Sequence, residues 1–374
     1  MNVPKLRFKE FNDEWTKEYA GNLCSIQTGK SNTQDKVDDG IYPFYVRSKI
    51  VEKSHKYIFD TEAVLTVGDG VGVGKVFHYI NGKFDCHQRV YMMNNFKNIT
   101  AKYFYYIFSR DFDKRVMKMT AKTSVDSVRY EMIDKMEIYY PTIKEQDKVA
   151  RTLELLDKKI ELQTKKIEDL KLFKSSQIIN FFNKNNFAEV NIKNIGFFQS
   201  GNSLSKDCLT SSGVPIILYG DLYTKYNEVI KKVEQYTNDN KKYVKSKQNQ
   251  IIFPTSTTVN SLSLISPSSI NLDGIIYGGD ILILNLNKDV NADFLSYEIN
   301  HYKKKEFSKI AQGSTIIHIH AEDLLNCKIA LPNIVLQDKF ALTFNKLNQK
   351  IELENNKLNK LQKLKKGLMQ SMLV

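Results

Sequence analysis

Two stretches of this chain carry the same spacing of apolar and polar positions. In residues 142–184 apolar side chains fall at Val149, Leu153, Leu156, Ile160, Ile167, Leu170 and Phe181. In residues 333–374 they fall at Phe340, Phe344, Leu347, Ile351, Leu358, Leu361, Leu368 and Met372. Steps of four and three are the spacing of a coiled-coil seam, so each stretch predicts a long amphipathic helix. Polar residues interrupt both seams at matching places, Gln163 answering Glu354 and Lys174 answering Lys365. A polar residue on a seam costs stability and fixes register.

The likeness extends beyond the period. "QDKVARTLELLDKKIELQ" (146–163) lies over "QDKFALTFNKLNQKIELE" (337–354) at an offset of 191, and Pro141 lies over Pro332. The same offset aligns "AKYFYYIFSR" (101–110) with "ADFLSYEINH" (292–301) and "AKTSVDSVRYEMIDKMEIYYP" (121–141) with "QGSTIIHIHAEDLLNCKIALP" (312–332). Nearer the start of each half the offset becomes 172, which sets Trp15 over Phe187, "SIQTG" (25–29) over "FFQSG" (197–201) and Pro43 over Pro215. The second half has therefore gained 19 residues, most simply in the Asn- and Lys-rich stretch 224–250.

Collinear matches of this kind describe a tandem duplication. The boundaries read as a first globular segment 1–141, a helix 142–184, a second globular segment 185–332 and a helix 333–374. Within the globular segments, "AVLTVGDG", "QRVYMM", "QIIFPTS" and "DILILNL" predict strands, while "ITAKYFYYIFSRDFDKRVMKM" and "DFLSYEINHYKKKEFSKI" predict amphipathic helices. Each segment is thus α+β. A helix of about 40 residues is a rod roughly 60 Å long, more than a small domain needs to cover itself. Two such rods after duplicated domains are expected to pack on each other, antiparallel about a pseudo-two-fold axis.

Composition narrows the class of function. An apolar content of 42% supports packed cores, and a net charge of +13 in 374 residues suits an anionic partner such as nucleic acid. A general Lys and Asn richness weakens that charge argument. Cys24, Cys86, Cys208 and Cys327 are far apart with no C-x-x-C spacing, which suits a reducing compartment. Charges occupy the start, "MNVPKLRFKEF", and no run approaches the ~20 apolar residues of a membrane span, so a cytoplasmic chain is expected.

Catalytic signatures do not assemble. "VGDGVGVGK" (67–75) has Asp69 where a phosphate loop needs its first Gly, and Val76 where it needs Ser or Thr, so it reads as a turn-rich hairpin near a ligand. The chain has no Pro-Asp dipeptide, no E-x-K and no N-P-P-Y or D-P-P-Y stretch. "GNSLS" (201–205) lacks the final Gly of a nucleophile elbow. His318 and His320 can share one strand face, but without a third ligand they read as surface or nucleic-acid-facing rather than metal-binding.

A basic, non-catalytic chain with two similar domains and two similar long helices resembles the DNA specificity subunit of type I restriction-modification systems. The resemblance rests on "VPKLRFKEFNDEW" (3–15), "IQTGK" (26–30), "QGSTIIHIHAEDLLNCKIALP" (312–332) and the P-x-x-x-x-Q-D-K at the head of each helix, in order along the whole chain. One departure is that the first domain has "AKTSVDSVRYEMI" where the second has "QGSTIIHIHAEDL". The resemblance implies a target-recognition domain in each half, each reading one part of a split, asymmetric double-stranded DNA site. The helices would set the unread spacer and dock two methyltransferase subunits. Restriction and translocase subunits would join them, and S-adenosylmethionine, ATP and magnesium would be bound by those partners rather than by this chain. The expected DNA-contacting residues are polar loop positions. In the first domain they are Arg47, Lys49, Lys75, His87, Arg89, Lys122, Ser124 and Arg129. In the second they are Tyr219, Thr255, Ser256, Thr258, Asn260, Gln312, Ser314, Thr315 and His318. Two other readings stay open at this point: a coiled-coil adaptor that does not read sequence, and a self-contained nuclease or methyltransferase.

Overall fold

A computed structural model describes residues 3–70, 72–120, 127–238 and 242–374. No helix among them is long and apolar enough to cross a membrane. The chain forms two compact units, residues 1–164 with 356–374 and residues 165–355. Each long helix, Ile143–Lys184 and Ile334–Met372, is divided between them.

The first unit is built on a six-stranded sheet in the order Ser25–Thr28, Val90–Asn94, Phe59–Val67, Phe77–Cys86, Tyr42–Tyr45, Val51–Ser54. Phe59–Val67 and Phe77–Cys86 pair antiparallel, so the glycine-rich 68–76 is the hairpin connection expected from its turn residues. The helix Ala101–Thr120 covers the sheet. Tyr103, Phe104, Ile107, Phe108 and Phe112 recur at helical spacing on one face and are fully buried. Phe108 stacks on Phe112 at 4.4 Å between ring centroids and meets Phe77 of the sheet edge-on at 5.7 Å.

The second unit holds a five-stranded sheet in the order Gly196–Ser200, Ile281–Leu286, Gln250–Pro254, Ser268–Ile270, Val229–Ile230, and a four-stranded sheet around Val214–Ile217. Its first three strands repeat those of the first unit, register included. Ser25–Thr28 pairs with Val90–Asn94 as Gly196–Ser200 pairs with Ile281–Leu286. The parallel pair Phe44–Asp85 recurs as Ile216–Ile276, and the short ribbon Lys17–Tyr139 as Glu189–Ala330.

The registers also locate the inserted residues. Val67 pairs with Val90 and Pro254 with Ile281, so the offset is 187 at the end of the central strand and 191 on its neighbour. Part of the gain therefore lies in the connection 255–280, not wholly in 224–250. A second difference concerns the covering helix. The run expected to be one helix breaks after Ala292–Tyr297 into a π turn, Glu298–Tyr302, and two short helical turns. Glu298 stands where the first unit has Ile107. It is fully buried, and its Oε1 accepts the Ala330 N–H at 2.7 Å. The π turn begins at this buried carboxyl.

Each helix is rooted in its unit by a buried glutamine. The Gln146 side-chain oxygen accepts the Thr100 N–H at 2.8 Å, and its amide donates to the carbonyls of Asn98 at 3.0 Å and Pro141 at 2.8 Å. Gln337 repeats the clamp on the Asn291 N–H at 2.8 Å and the carbonyls of Asp289 at 3.2 Å and Pro332 at 2.8 Å. Both side chains are inaccessible to water. The first helix has a further anchor, since Arg7 bonds both oxygens of buried Glu145 at 2.8 Å.

Inside each unit the two helix segments run antiparallel. In the second unit Lys166 bonds Glu354 at 3.0 Å, Lys174 bonds Asn348 at 2.8 Å, and Phe181 packs on Phe340 at 4.6 Å. In the first unit Asp157 pairs with Lys365, and Leu153 shares a core with Met372 and Leu373. The expected seam residues Val149, Leu153, Leu156, Ile160, Gln163, Ile167, Leu170, Phe340, Phe344, Leu347, Ile351, Glu354, Leu358 and Leu361 are all buried or half-buried. The stripe does a second task at the helix heads, where Val149 and Leu153 join the first unit's core and Phe340 and Phe344 pack with Phe294 and Tyr297.

The two seam lysines make equivalent contacts. Lys365 meets Asp157, which also accepts from the Tyr106 hydroxyl at 2.9 Å. Lys174 meets Asn348, whose amide donates to the Tyr297 hydroxyl at 2.8 Å. Asn348 is neutral where Asp157 is charged, and the second unit restores the balance from its body: Glu228 accepts from Lys174 at 2.7 Å and from His301 at 2.6 Å. Burial would raise the Glu228 carboxyl, but His301 and Lys174 outweigh it and hold it well below the ordinary carboxylate range.

Two tests follow from these buried groups. Gln146→Leu or Gln337→Leu leaves one N–H and two carbonyls without their side-chain partner. Each orphaned buried group costs about 1–3 kcal/mol, so both variants are expected to lower the unfolding midpoint of the full chain clearly. A midpoint within error of the parent refutes the clamp. Burial holds the Glu298 carboxyl up at about 8 against an ordinary 4.5. The folded chain then keeps the extra proton between those values, and stability falls as pH rises through that window. Glu298→Gln abolishes the titration, so its advantage in melting temperature should be small at pH 5 and grow toward pH 8. A pH-independent difference would contradict this.

Candidate nucleic-acid interface

The loops at the end of the central strand share one backbone frame in both units. In the first, the Gly68 N–H bonds the Arg89 carbonyl at 2.7 Å, and the Val128 N–H bonds the Gly68 carbonyl at 2.7 Å. In the second, Thr255 bonds Asp280 at 2.9 Å and Ile319 bonds Thr255 at 3.0 Å in the same pattern. The bridge from Asp69 to Ser127 recurs as the pair Ser256–His318. Three segments distant in sequence are thereby brought to one place in each body.

Glycine makes the approach possible on one side. A Cβ on Gly29 would stand 2.1 Å from the Cys86 carbonyl oxygen, and one on Gly201 would stand 2.2 Å from that of Gly278. Both contacts are to backbone that the strand ladder holds in place, which explains the shared Gln-x-Gly of "IQTGK" and "FFQSG".

The frame carries different chemistry in each unit. In the first, Asp69 stands between two guanidinium groups, Arg47 at 3.2 Å and Arg89 at 3.8 Å. His87 lies beside them, 5% exposed, and its Nδ1 accepts the Arg89 N–H at 3.0 Å, which puts the ring proton on Nε2. Burial first, then the Arg47 charge, lowers the His87 pKa, so it is a neutral ring among cations. In the second unit Asp280 takes the place of Arg89 and Ser256 that of Asp69, with the Ser256 hydroxyl donating to Asp280 at 3.2 Å. Asp280 adopts φ 55°, in the left-handed region that Asp tolerates better than most residues. A cleft of about 1190 Å³ opens here, lined by Tyr219, Tyr223, Thr255 and Asp280.

The expected contact residues are therefore only partly gathered. Arg47, His87 and Arg89 cluster in the first unit, and Tyr219, Thr255, Ser256 and His318 in the second. Arg129 follows directly after Val128 of the frame and is exposed, as are Lys49 and Lys75 on neighbouring loops. Lys122 and Ser124 lie outside the described residues. Gln312 exchanges both backbone bonds with His318, at 2.9 and 2.7 Å, which closes a short loop with Ser314 and Thr315 exposed at its tip. Thr258 is exposed, while the Asn260 side-chain oxygen is committed to capping Ser261–Leu264 through the Ser263 N–H at 2.8 Å. His318 and His320 are both exposed with buried Ile319 between them, the alternation their spacing predicts. Among the described residues no group of three or more His, Cys, Asp or Glu is placed to hold a metal ion. Burial pushes the Cys24 and Cys86 thiols up to about 12, so neither is a ready nucleophile.

Asp69 and Asp280 are absent from the expected contacts, which are cationic and neutral polar loop positions. Their signal was positional: each adjoins a glycine at the end of a predicted strand.

Two homologous bodies, each rooted on a long helix, present the same strand-end frame with different side chains. The model of the type I restriction modification DNA specificity domain matches the chain twice, over residues 12–172 and 184–363, and the chain belongs to that family. It is 23% identical over 398 aligned positions to the MjaVIII specificity subunit of Methanocaldococcus jannaschii, covering 96% of this chain and 92% of that one. It is 26% identical over 157 residues to the EcoDI specificity subunit of Escherichia coli, a match that covers 42% of this chain and only 34% of that one. In fold it is similar to the S subunit of a type I restriction-modification system from M. genitalium, with TM-score 0.65, 17% identity and coverage of 100% and 99%. A second chain, from a structure of type I complex assembly, gives TM-score 0.56 at 14% identity, with coverage of 96% and 97%.

The shared glycines give a test of the frame. Gly201→Ala must push the Gly278 carbonyl away, and Gly29→Ala does the same to the Cys86 carbonyl. Each is expected to lower the melting temperature and to weaken ligand binding by its own unit, read by titration of the full chain in its assembled complex. Unchanged stability and binding would show that the close approach is not required.

Proposed function

We propose that this chain is the non-catalytic specificity subunit of a type I restriction-modification complex, with each unit reading one half of a bipartite, asymmetric DNA site. The observation that supports this best is the repeated backbone frame with unlike side chains, Arg89 and Asp69 in one unit against Asp280 and Ser256 in the other. Two copies of one frame suit two stretches of the same duplex, and unlike side chains suit unlike sequences. The net charge of +13 supplies the sequence-independent attraction to phosphates.

In this reading the chain provides the address, and double-stranded DNA is its ligand. Two modification subunits carry S-adenosylmethionine and methylate adenine. Restriction subunits bring ATP, magnesium and the cutting reaction. The exposed residues of the first unit (Arg47, Lys49, Lys75, Arg89 and Arg129) and those of the second (Tyr219, Thr258, Gln312, Ser314, Thr315 and His318) are the proposed reading surface.

Methylome sequencing of cells with and without this chain is the direct test, and one bipartite adenine motif is expected to disappear with it. Replacing residues 1–141 by the corresponding body of a differently directed specificity subunit should change one half of that motif and leave the other intact. A motif that survives deletion of the chain, or an exchange that alters both halves, would sink the proposal.

A further inference from the structure

Arg89 and Asp280 occupy one position of the repeated frame. Each follows its glycine or histidine turn, precedes the strand that carries the pair Val90–Val67 or Ile281–Pro254, and accepts on its carbonyl the N–H of the residue after the central strand. Both side chains are exposed. One is a cation with a fork of donors and the other an anion with acceptors only.

The change of sign is informative. A position that touches the DNA backbone meets a phosphate whichever half-site is bound, so it would keep a donor in both units. A carboxylate there would be repelled. A position that reads bases meets different edges in the two half-sites and is free to change sign. The neighbours agree. Asp69, 3.8 Å from the Arg89 Nε, disfavours a phosphate beside the guanidinium and steadies its fork. Among the described residues the terminal nitrogens of Arg89 make no hydrogen bond. Asp280 has one carboxylate oxygen engaged by Ser256, and its Oδ1 has no hydrogen-bond partner among the described residues.

Resting on the specificity reading above, we infer that Arg89 and Asp280 are paired specificity-determining residues. Arg89 reads a guanine through its O6 and N7, and Asp280 reads a base that presents an exocyclic amino group, cytosine N4 or adenine N6. Asp69 and Ser256 are positioning residues behind them.

The test uses the full chain assembled with its modification subunits. Methylated genomic DNA is sequenced for the parent and for Arg89→Gln, Arg89→Lys and Asp280→Asn. Each Arg89 variant is expected to relax one guanine in one half-site, losing ~10–100-fold of discrimination there, the worth of a bidentate base contact. Asp280→Asn should relax one cytosine or adenine in the other half, and which of the two relaxes distinguishes the amino groups. The untouched half-site reports that each variant is folded. Arg89→Lys keeps the charge, so relaxed discrimination with an unchanged salt dependence of binding supports base reading. A uniform loss of affinity over all sequences with a shallower salt dependence would mark Arg89 as a phosphate contact and overturn the inference. Unchanged base preferences in all three variants would overturn it as well. A parent complex that methylates no bipartite motif would overturn the proposed function itself.

Discussion

The buried glutamine at the head of each long helix is the contact on which the rest of the structure depends. Gln146 and Gln337 each spend one acceptor and two donors on three backbone groups that the covering helix and the preceding strand leave unpaired. A side chain that satisfies three buried groups at once cannot shift without exposing or orphaning them. The direction in which each helix leaves its body is thereby fixed, and the apolar stripe that follows meets its partner segment in register.

Register is then confirmed by charge. Lys365 with Asp157 and Lys174 with Asn348 are one contact written twice, each beside a tyrosine, Tyr106 or Tyr297. The second copy has lost its carboxylate from the helix and regained it as Glu228 from the body, with His301 alongside. A buried lysine without a counter-charge would cost several kcal/mol, so a change on the helix required a compensating group within reach. The duplication has drifted in side chains while keeping the electrostatic requirement. The strand-end frame shows the same separation of backbone from chemistry, since its hydrogen bonds recur while Arg89 is answered by Asp280.

Much of the fold was legible. The periodic stretches 142–184 and 333–374 are the helices Ile143–Lys184 and Ile334–Met372, and Lys174 and Lys365, equivalent in sequence, make equivalent contacts. The covering helix of the second unit was read as continuous and is not. Its sequence has helical periodicity throughout, and the break comes with a single buried carboxyl, Glu298, whose partner Ala330 is 32 residues away. Local pattern carries no information about so distant a contact. The inserted residues were assigned to the Asn- and Lys-rich stretch on composition, whereas strand pairing moves part of them to 255–280.

The sequence by itself determined that the chain is duplicated, that each copy ends in a seam-bearing helix, and which side chains interrupt that seam. These are periodic or collinear features, and periodicity is a property of the chain. Only the tertiary structure decided which loop residues meet. Arg47, Asp69, His87 and Arg89 come from three connections, and Ser256, Asp280 and His318 from three more. Their meeting depends on strand order and on hydrogen bonds between segments 60 and 64 residues apart, from Gly68 to Val128 and from Thr255 to Ile319. Nothing in the local spacing of polar residues encodes that convergence.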